Sequence, residues 1–307
     1  MKSHAFFALS LLVCIGCDKP ESKPVEPPSL ITFSLSLSQE IIPFPESKSM
    51  PPLNIPGPQV ETREGEEKEL KDQCCTIEYI VYNDKETAPV RNVCYSLQEN
   101  NLDFGIISDT LEKGVYTIIL LAHNSPAGTL AGSTMTFDRV SDTFYLLFEL
   151  EIEAGQVYHQ EVTLSRIVSR IEFVSTDVVP ADAGSFAMAV ARYPGAIDIQ
   201  TGEGVVDSSD PVTFTHTFTE TEKGTTGLTH AFYSFIPAEE ATMDITLTAY
   251  TEEAEVLRSR EVSAVQPQRN RIVRYTGRLY SYSPSDDEFT VVIDDVWDTP
   301  VEEVLPD

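Results

Sequence analysis

The chain has 307 residues, with 49 acidic against 21 basic side chains and a formal net charge of −28. Because phosphate binding needs a basic surface, this charge argues against a nucleic-acid partner. It also argues against adsorption of the body of the protein on anionic lipid. The length allows one to three domains.

The N-terminus predicts an exported protein. Lys2 is followed by an apolar run over residues 5–16, which is too short to span a membrane and fits a secretory signal peptide. The sequence Cys-Ile-Gly-Cys at 14–17 is similar to the bacterial lipobox, in which the last cysteine receives a diacylglyceryl group. Residues 1–16 are therefore predicted to be a lipoprotein signal and Cys17 the lipid attachment site. An ordinary secreted protein cleaved near the same place is the alternative.

Residues 17–70 are predicted to form a proline-rich tether. Proline falls at positions 20, 24, 27, 28, 43, 45, 51, 52, 56 and 58, a density that forbids helix and favours extended, solvated chain. Within it, residues 30–42 read LITFSLSLSQEII, whose alternation predicts a strand. We expect this strand to pair onto the edge of the first domain; the alternative is a strand that a partner displaces. The charged run at 61–72 predicts a solvated linker.

From residue 74 onward the sequence predicts strands and turns. Strands are predicted at 75–82, 90–97, 115–122, 143–152, 157–167, 170–176, 185–192, 212–219, 230–236, 243–251, 271–279 and 288–294. Only residues 252–260 favour a helical turn or two. Many short strands without intervening helices predict an all-β chain of antiparallel β-sandwiches. We divide it into an N-terminal sandwich, 71–168, and a C-terminal sandwich, 169–307.

Three cysteines remain after Cys14 leaves with the signal and Cys17 takes lipid. In an oxidising compartment one bridge is plausible, from Cys75 or Cys74 to Cys94, across a hairpin that turns near residues 83–85. Cys75 with Cys94 is the predicted pair, and Cys74 with Cys94 is the alternative. A zinc site is disfavoured because no second Cys/His pair sits at ligand spacing.

No catalytic motif is recognisable, so we predict a protein that is not an enzyme and uses neither metal nor cofactor. His216 is expected on the threonine-bearing surface face of an alternating strand, without a ligand role. Asp294, Asp295 and Asp298 offer oxygen ligands, but their spacing matches no calcium loop. Trp297 is expected to pack at the domain end.

Four arginines form the one basic cluster of the sequence: Arg269, Arg271, Arg274 and Arg278. Within a strand, Arg269 and Arg271 would share a face and Arg274 would point the other way. Neutralisation of acidic neighbours is the favoured interpretation, and docking of an acidic partner is the alternative.

Several stretches together resemble a known family. EKGVYTIILLAHN at 112–124, VTLSRIVSRIEF at 162–173, and RNRIVRYTGRLY at 269–280 followed by FTVVIDDVWD at 289–298 are similar in pattern and order to Bacteroidetes fimbrial anchor lipoproteins. The lipobox and the acidic segment after Cys17 also suit that group. The resemblance covers residues 1–30 and 74–298.

The resemblance implies two tandem transthyretin-like sandwiches and a minor subunit of a type V pilus: anchor, terminator or tip. Such pili assemble by strand exchange between subunits, so pilus subunits are the implied partners and the outer membrane surface the implied location. In stalk subunits of the family an Arg-specific protease removes an N-terminal strand. Arg63 follows the strand candidate and is a possible cut site, which an anchor would leave uncut. The alternative function is a stand-alone surface lipoprotein that binds glycan or host protein.

Overall fold

The computed structural model describes residues 26–38, 69–99, 103–238, 241–285 and 287–294. Within these ranges the first half of the chain forms β1 (Ser29–Leu37), α1 (Leu70–Gln73), β2 (Thr76–Asn83), β3 (Arg91–Ser96), β4 (Ile106–Leu111), β5 (Gly114–His123), β6 (Thr129–Ala131), β7 (Thr134–Thr136), β8 (Thr143–Ile152) and β9 (Val157–Arg166). The second half forms β10 (Val168–Ser175), β11 (Ala183–Ala191), β12 (Ala196–Asp198), β13 (Glu203–Val205), β14 (Val212–Thr217), β15 (Thr229–Phe235), β16 (Met243–Thr251), β17 (Val256–Val265), β18 (Ile272–Gly277) and β19 (Thr290–Asp294).

The first sandwich is one seven-stranded sheet that folds back on itself. Its strand order is β3-β2-β5-β8-β9-β1-β4. β8 and β9 pair at only two described positions, Phe144 with Arg166 and Tyr145 with Ser165. The sheet therefore opens there into two facing layers, β3-β2-β5-β8 and β9-β1-β4. Inward side chains of both layers share one core, which includes Ile31, Phe33, Ile77, Tyr79, Ile107, Leu111, Ile118, Leu120 and Leu164.

The second sandwich has two four-stranded sheets, ordered β15-β10-β18-β19 and β14-β11-β16-β17. Alternate residues of these strands form a second core, which includes Ile171, Phe173, Phe186, Val190, Phe232, Ile245, Leu247 and Val273. The all-β sandwich prediction is confirmed. Two pairs are parallel, β1 with β9 and β10 with β18, in otherwise antiparallel sheets.

A small third sheet connects the two sandwiches. It has the order β13-β12-β7-β6, and β7 of the first half pairs with β12 of the second. Met135 and Ile197 lie opposite each other in this pair, and both are fully buried. The Tyr145 hydroxyl donates a hydrogen bond to the Ile199 carbonyl at 2.8 Å. Backbone pairing therefore links segments that the sequence places far apart.

Strands β2 and β5 are buried on both faces. In β2, Tyr79 packs in the first core whereas its neighbour Ile80 packs in the second. Likewise in β5, Leu120 packs in the first core and Leu121 packs in the second. The predicted division at residues 168 and 169 falls at the start of β10 and stays a prediction, since the two cores meet through these strands.

The loop between β18 and β19 packs against β17, an edge strand of the second sandwich. Arg258 and Arg260 of β17 both pair with Asp287, and the Arg260 guanidinium carbon lies 3.6 Å from the centroid of the Phe289 ring. Phe289 in turn packs 6.0 Å from Phe173, ring centroid to ring centroid. Charged side chains that point inward from an edge strand also discourage pairing with other sheets.

The predicted helical turns at residues 252–260 are wrong. The chain turns at 252–255, where Ala254 has φ 61°, and then forms β17 from Val256 to Val265. β17 pairs antiparallel with β16, so a long-range strand partner overrides the local helical preference of the glutamates and arginines.

Candidate functional site

The inner face of β1 adds apolar side chains to the first core. Ile31 and Phe33 are fully buried, and Leu35 and Leu37 pack against the same core from partly buried positions. The Phe33 ring lies 6.0 Å from that of Tyr79, centroid to centroid. The strand predicted from the alternation at 30–42 is therefore confirmed over Ser29–Leu37.

The expected edge position of this strand is wrong, because β1 is paired along both sides. It runs parallel to β9 over residues 30–37 and antiparallel to β4 over residues 29–34. Beyond these ladders, the Leu35 N–H donates to the Gly105 carbonyl at 2.8 Å and the Ser38 N–H donates to the Leu164 carbonyl at 2.7 Å. In the described part of this sheet, the edge strands are β3 and β4, and β4 is the one beside β1.

The outer face of β1 carries hydroxyl groups. Thr32 and Ser108 of β4 approach within 3.4 Å, oxygen to oxygen, and Ser36 and Thr163 of β9 within 2.9 Å. At the start of the strand, the buried Ser29 hydroxyl donates to the Glu153 carbonyl at 2.5 Å. The position of β1 therefore suits an alternating strand, apolar on one face and small and polar on the other.

Two predicted site residues, Cys17 and Arg63, lie outside the described residues and stay predictions. The third prediction, the Cys75–Cys94 bridge, is not formed in the structure: Cys74, Cys75 and Cys94 are free thiols. The predicted hairpin exists, with β2 paired to β3, but Cys94 lies opposite Glu78. Cys75 lies opposite Leu97 instead, and its backbone carbonyl accepts a hydrogen bond from the Leu97 N–H at 2.8 Å.

This register offset separates Cys75 and Cys94 by three residues along the strands. At about 3.3 Å per residue the offset is about 10 Å, longer than the Cα separation that a disulfide bridges without backbone movement. Pairing of these two cysteines in the oxidised protein stays a prediction. Cys94 is exposed, but partial desolvation and the Glu78 carboxylate raise its pKa to about 11, which keeps the thiol protonated at neutral pH.

His216 belongs to a small aromatic group in the second sandwich. Its Nε2 lies 3.0 Å from Glu222 Oε1, and its ring centroid lies 5.3 Å from that of His230. The expected position on the threonine-bearing surface face is wrong: His216 lies in β14 on the same face as the buried Phe214, and its side chain is only 21% exposed. The buried His230 beneath it was not singled out from the sequence.

The four arginines between 269 and 278 do not form one surface. Arg269 donates to the Gly202 carbonyl at 3.1 Å and Arg278 to the Ser281 hydroxyl at 2.5 Å, whereas Arg271 is buried. Arg274 pairs with Glu172 at 2.6 Å and with Asp294 at 3.8 Å. Neutralisation of acidic neighbours is therefore correct for Arg274, and a docking surface made of all four is wrong. Asn270, with φ 54°, turns the chain before β18 and breaks the expected strand pattern.

Among the described residues, no group of three or more His, Cys, Asp or Glu side chains is arranged to hold a metal ion. Asp294 is described, but Asp295, Trp297 and Asp298 are not. No helix in the described ranges is long and apolar enough to cross a membrane.

The chain belongs to a family of unknown function, DUF6562, whose model matches residues 125–305, more than half of the sequence. No curated protein matches it significantly.

Solved structures share its fold. A DUF1812 protein from Bacteroides thetaiotaomicron superposes with a TM-score of 0.53 at 9% identity, covering 87% of this chain and 96% of that chain. The fimbrial anchor protein Mfa2 from Porphyromonas gingivalis gives 0.45 at 10% identity, covering 88% and 98%. The tip fimbrial protein Mfa3 from the same organism gives 0.44 at 9% identity, covering 88% and 100%. Fimbrial proteins are thus among the solved structures that are similar to this chain.

Proposed function

We propose that this chain is a surface lipoprotein that serves as a minor subunit, anchor, terminator or tip, of a type V pilus and joins it by β-strand addition. The carrying observation is β1. This strand fills the interior of a layer, covers the first core with Ile31 and Phe33, and is connected to the rest of the sandwich through residues 39–68.

A strand in this position suits exchange for physical reasons. If β1 left, β4 and β9 would each expose a row of unpaired backbone groups, and the core would open at the Phe33 position. An incoming strand with the same alternation satisfies both rows of hydrogen bonds and refills the core, so it binds tightly. The ladder fixes its direction, parallel to β9 and antiparallel to β4.

The anchor and tip roles are named for other proteins: Mfa2 is described as a fimbrial anchor and Mfa3 as a tip protein. We bring them to this chain as part of the proposal, together with acylation at Cys17 and location on the outer membrane. A retained β1 fits an anchor, whereas removal by cleavage at Arg63 fits a subunit that accepts a donor strand.

The alternative function is that of a stand-alone binder of glycan. We consider it because the DUF1812 protein is described as a candidate for polysaccharide binding. Such a binder would need a cluster of exposed aromatic side chains. In the described loops Tyr282, at 71% exposure, is the single exposed aromatic residue. We therefore favour the pilus role.

An immunoblot of the outer-membrane fraction tests the proposal, with unboiled and boiled samples side by side and a known pilin as control. We expect a high-mass ladder that collapses on boiling, and the mass of the boiled band reports whether Arg63 is cut. A single band in both lanes beside a laddering pilin would refute assembly.

The anchor is tested separately. Cys17→Ala should abolish incorporation of labelled fatty acid and release the protein from the membrane fraction. Cys14→Leu, the matched control, should leave both unchanged. Equal labelling of the two variants would refute acylation at Cys17.

A further inference from the structure

Exchange of β1 would remove the whole described hydrogen-bond ladder of strand β4. In the described sheet its strand partner is β1, which it pairs over residues 106–111. When β1 is absent, β4 loses this whole ladder. An incoming strand would then need β4 still in place to find two edges to pair with.

The side chain of Asp109 ties β4 to the opposite layer. Its carboxylate accepts hydrogen bonds from Arg91 Nε, at 3.0 and 3.2 Å to the two oxygens, and from the Tyr79 hydroxyl at 3.2 Å. Arg91 also donates to the Thr110 carbonyl of β4 at 3.0 Å. Arg91 belongs to β3 and Tyr79 to β2, so none of these contacts involves β1.

The position of Asp109 is unusual for a charged group. It lies on the same face of β4 as the buried Ile107 and Leu111, and its side chain is only 15% exposed. A carboxylate between two sandwich layers requires paired donors, or its desolvation opposes folding. Burial and the neighbouring Asp109 raise the pKa of Tyr79, which keeps its hydroxyl a donor to the carboxylate.

We propose that Arg91, Asp109 and Tyr79 form a staple that holds β4 in place while the β1 position is exchanged, so that the slot between β4 and β9 stays open to a new strand. This inference rests on the strand-addition function proposed above. The three are positioning residues, because they act on the incoming strand through β4.

The test uses the full chain with a site-specific protease sequence placed within residues 39–68, so that β1 becomes a separate, exchangeable strand after cleavage. A fluorescent peptide of residues 26–38 is added, and its uptake is followed by anisotropy. The variants are Asp109→Asn and the milder Tyr79→Phe. Glu172→Gln is the matched control, since Glu172 also pairs with an arginine, Arg274, at 2.6 Å, is 5% exposed, and lies in β10 of the second sandwich, outside β4 and β9.

Because hydrogen bonds to charged groups are strong, Asp109→Asn should weaken peptide binding about tenfold or more and Tyr79→Phe about fivefold. Glu172→Gln should stay within about twofold of the parent. Hydrogen exchange at residues 106–111 should accelerate in the cleaved Asp109→Asn protein before peptide is added, but not in the cleaved control. A purely structural role would instead lower the stability of Asp109→Asn and Glu172→Gln alike and leave peptide affinity equal.

Two results would overturn the proposal in different ways. If the cleaved parent binds the peptide and both staple variants bind it equally well, the staple is wrong and strand addition stands. If the cleaved parent does not take up the peptide, strand addition itself is wrong, and the staple with it.

Discussion

His230 is the buried group whose protonation should weaken the fold in mild acid. It is 5% exposed, its ring stacks 4.2 Å from that of Phe186, and its Nε2 lies 2.7 Å from the Tyr280 hydroxyl oxygen. Burial lowers the pKa of His230 from 6.5 to about 3, and the adjacent His216 adds to this effect.

The direction in which pH changes the folding stability follows from proton linkage. Below pH 6.5 the unfolded chain binds a proton that folded His230 does not, so the stabilising contribution is complete above pH 6.5 and is lost as the pH falls toward 3. At about 1.4 kcal/mol per pH unit, lowering the pH from 7 to 5 should cost about 2 kcal/mol of unfolding free energy through this residue. That is a large share of the stability of an ordinary domain, about 5–15 kcal/mol.

Urea unfolding at pH 7, 6 and 5 measures this effect. His230→Gln removes the titrating group and keeps a polar side chain near Tyr280, so the parent should lose about 2 kcal/mol relative to the variant between pH 7 and pH 5. His159→Gln, at an exposed position of β9, should track the parent. Parallel pH curves for the parent and His230→Gln would refute the reasoning.

Three further predictions concern the core, the thiols and the C-terminal strand. Phe33→Ala should lower the free energy of unfolding by about 3–5 kcal/mol, whereas Thr32→Ala on the outer face should cost under about 1 kcal/mol; equal losses by urea unfolding would contradict the assigned faces. With the other thiols replaced, Cys94 should react with iodoacetamide at pH 8 about a hundredfold more slowly than a free cysteine, because partial desolvation and Glu78 raise its pKa to about 11; the rate of a free thiol would contradict that pKa. Phe289→Ala should speed hydrogen exchange at residues 290–294 while the rest of the second sandwich stays protected; unchanged exchange there would mean that Phe289 does not hold β19.

The strands with clear alternation could be predicted from the sequence. β16 matches its predicted range of 243–251, because its side chains face a core in a two-residue period. β8 matches its range of 143–152 for another reason, since its apolar run at 144–148 packs in both cores. Like β16, β1 was found from its two-residue period. Its place between β9 and β4 could not be found, since pairing partners 72 to 127 residues away along the chain leave no local signal.

The short strands and the buried polar groups were missed. β7 and β12 have three residues each, too few for a period, and they form only because the two sandwiches bring them together. Asp109 looked like any other surface acid in a chain with 49 of them. Its role depends on Arg91, which the sequence places on another strand and the fold places beside it.

The parallel pairing of β1 with β9 has a mechanical consequence. If the protein is held at Cys17 and pulled from its other end, tension enters β1 at Ser29 and is directed along the strand axis. The ladder bonds to β9 and β4 run across that axis, so they share the force in shear instead of breaking one after another. Under such a pull, the strand that closes the first core would carry the tension between Ser29 and the rest of the first sandwich.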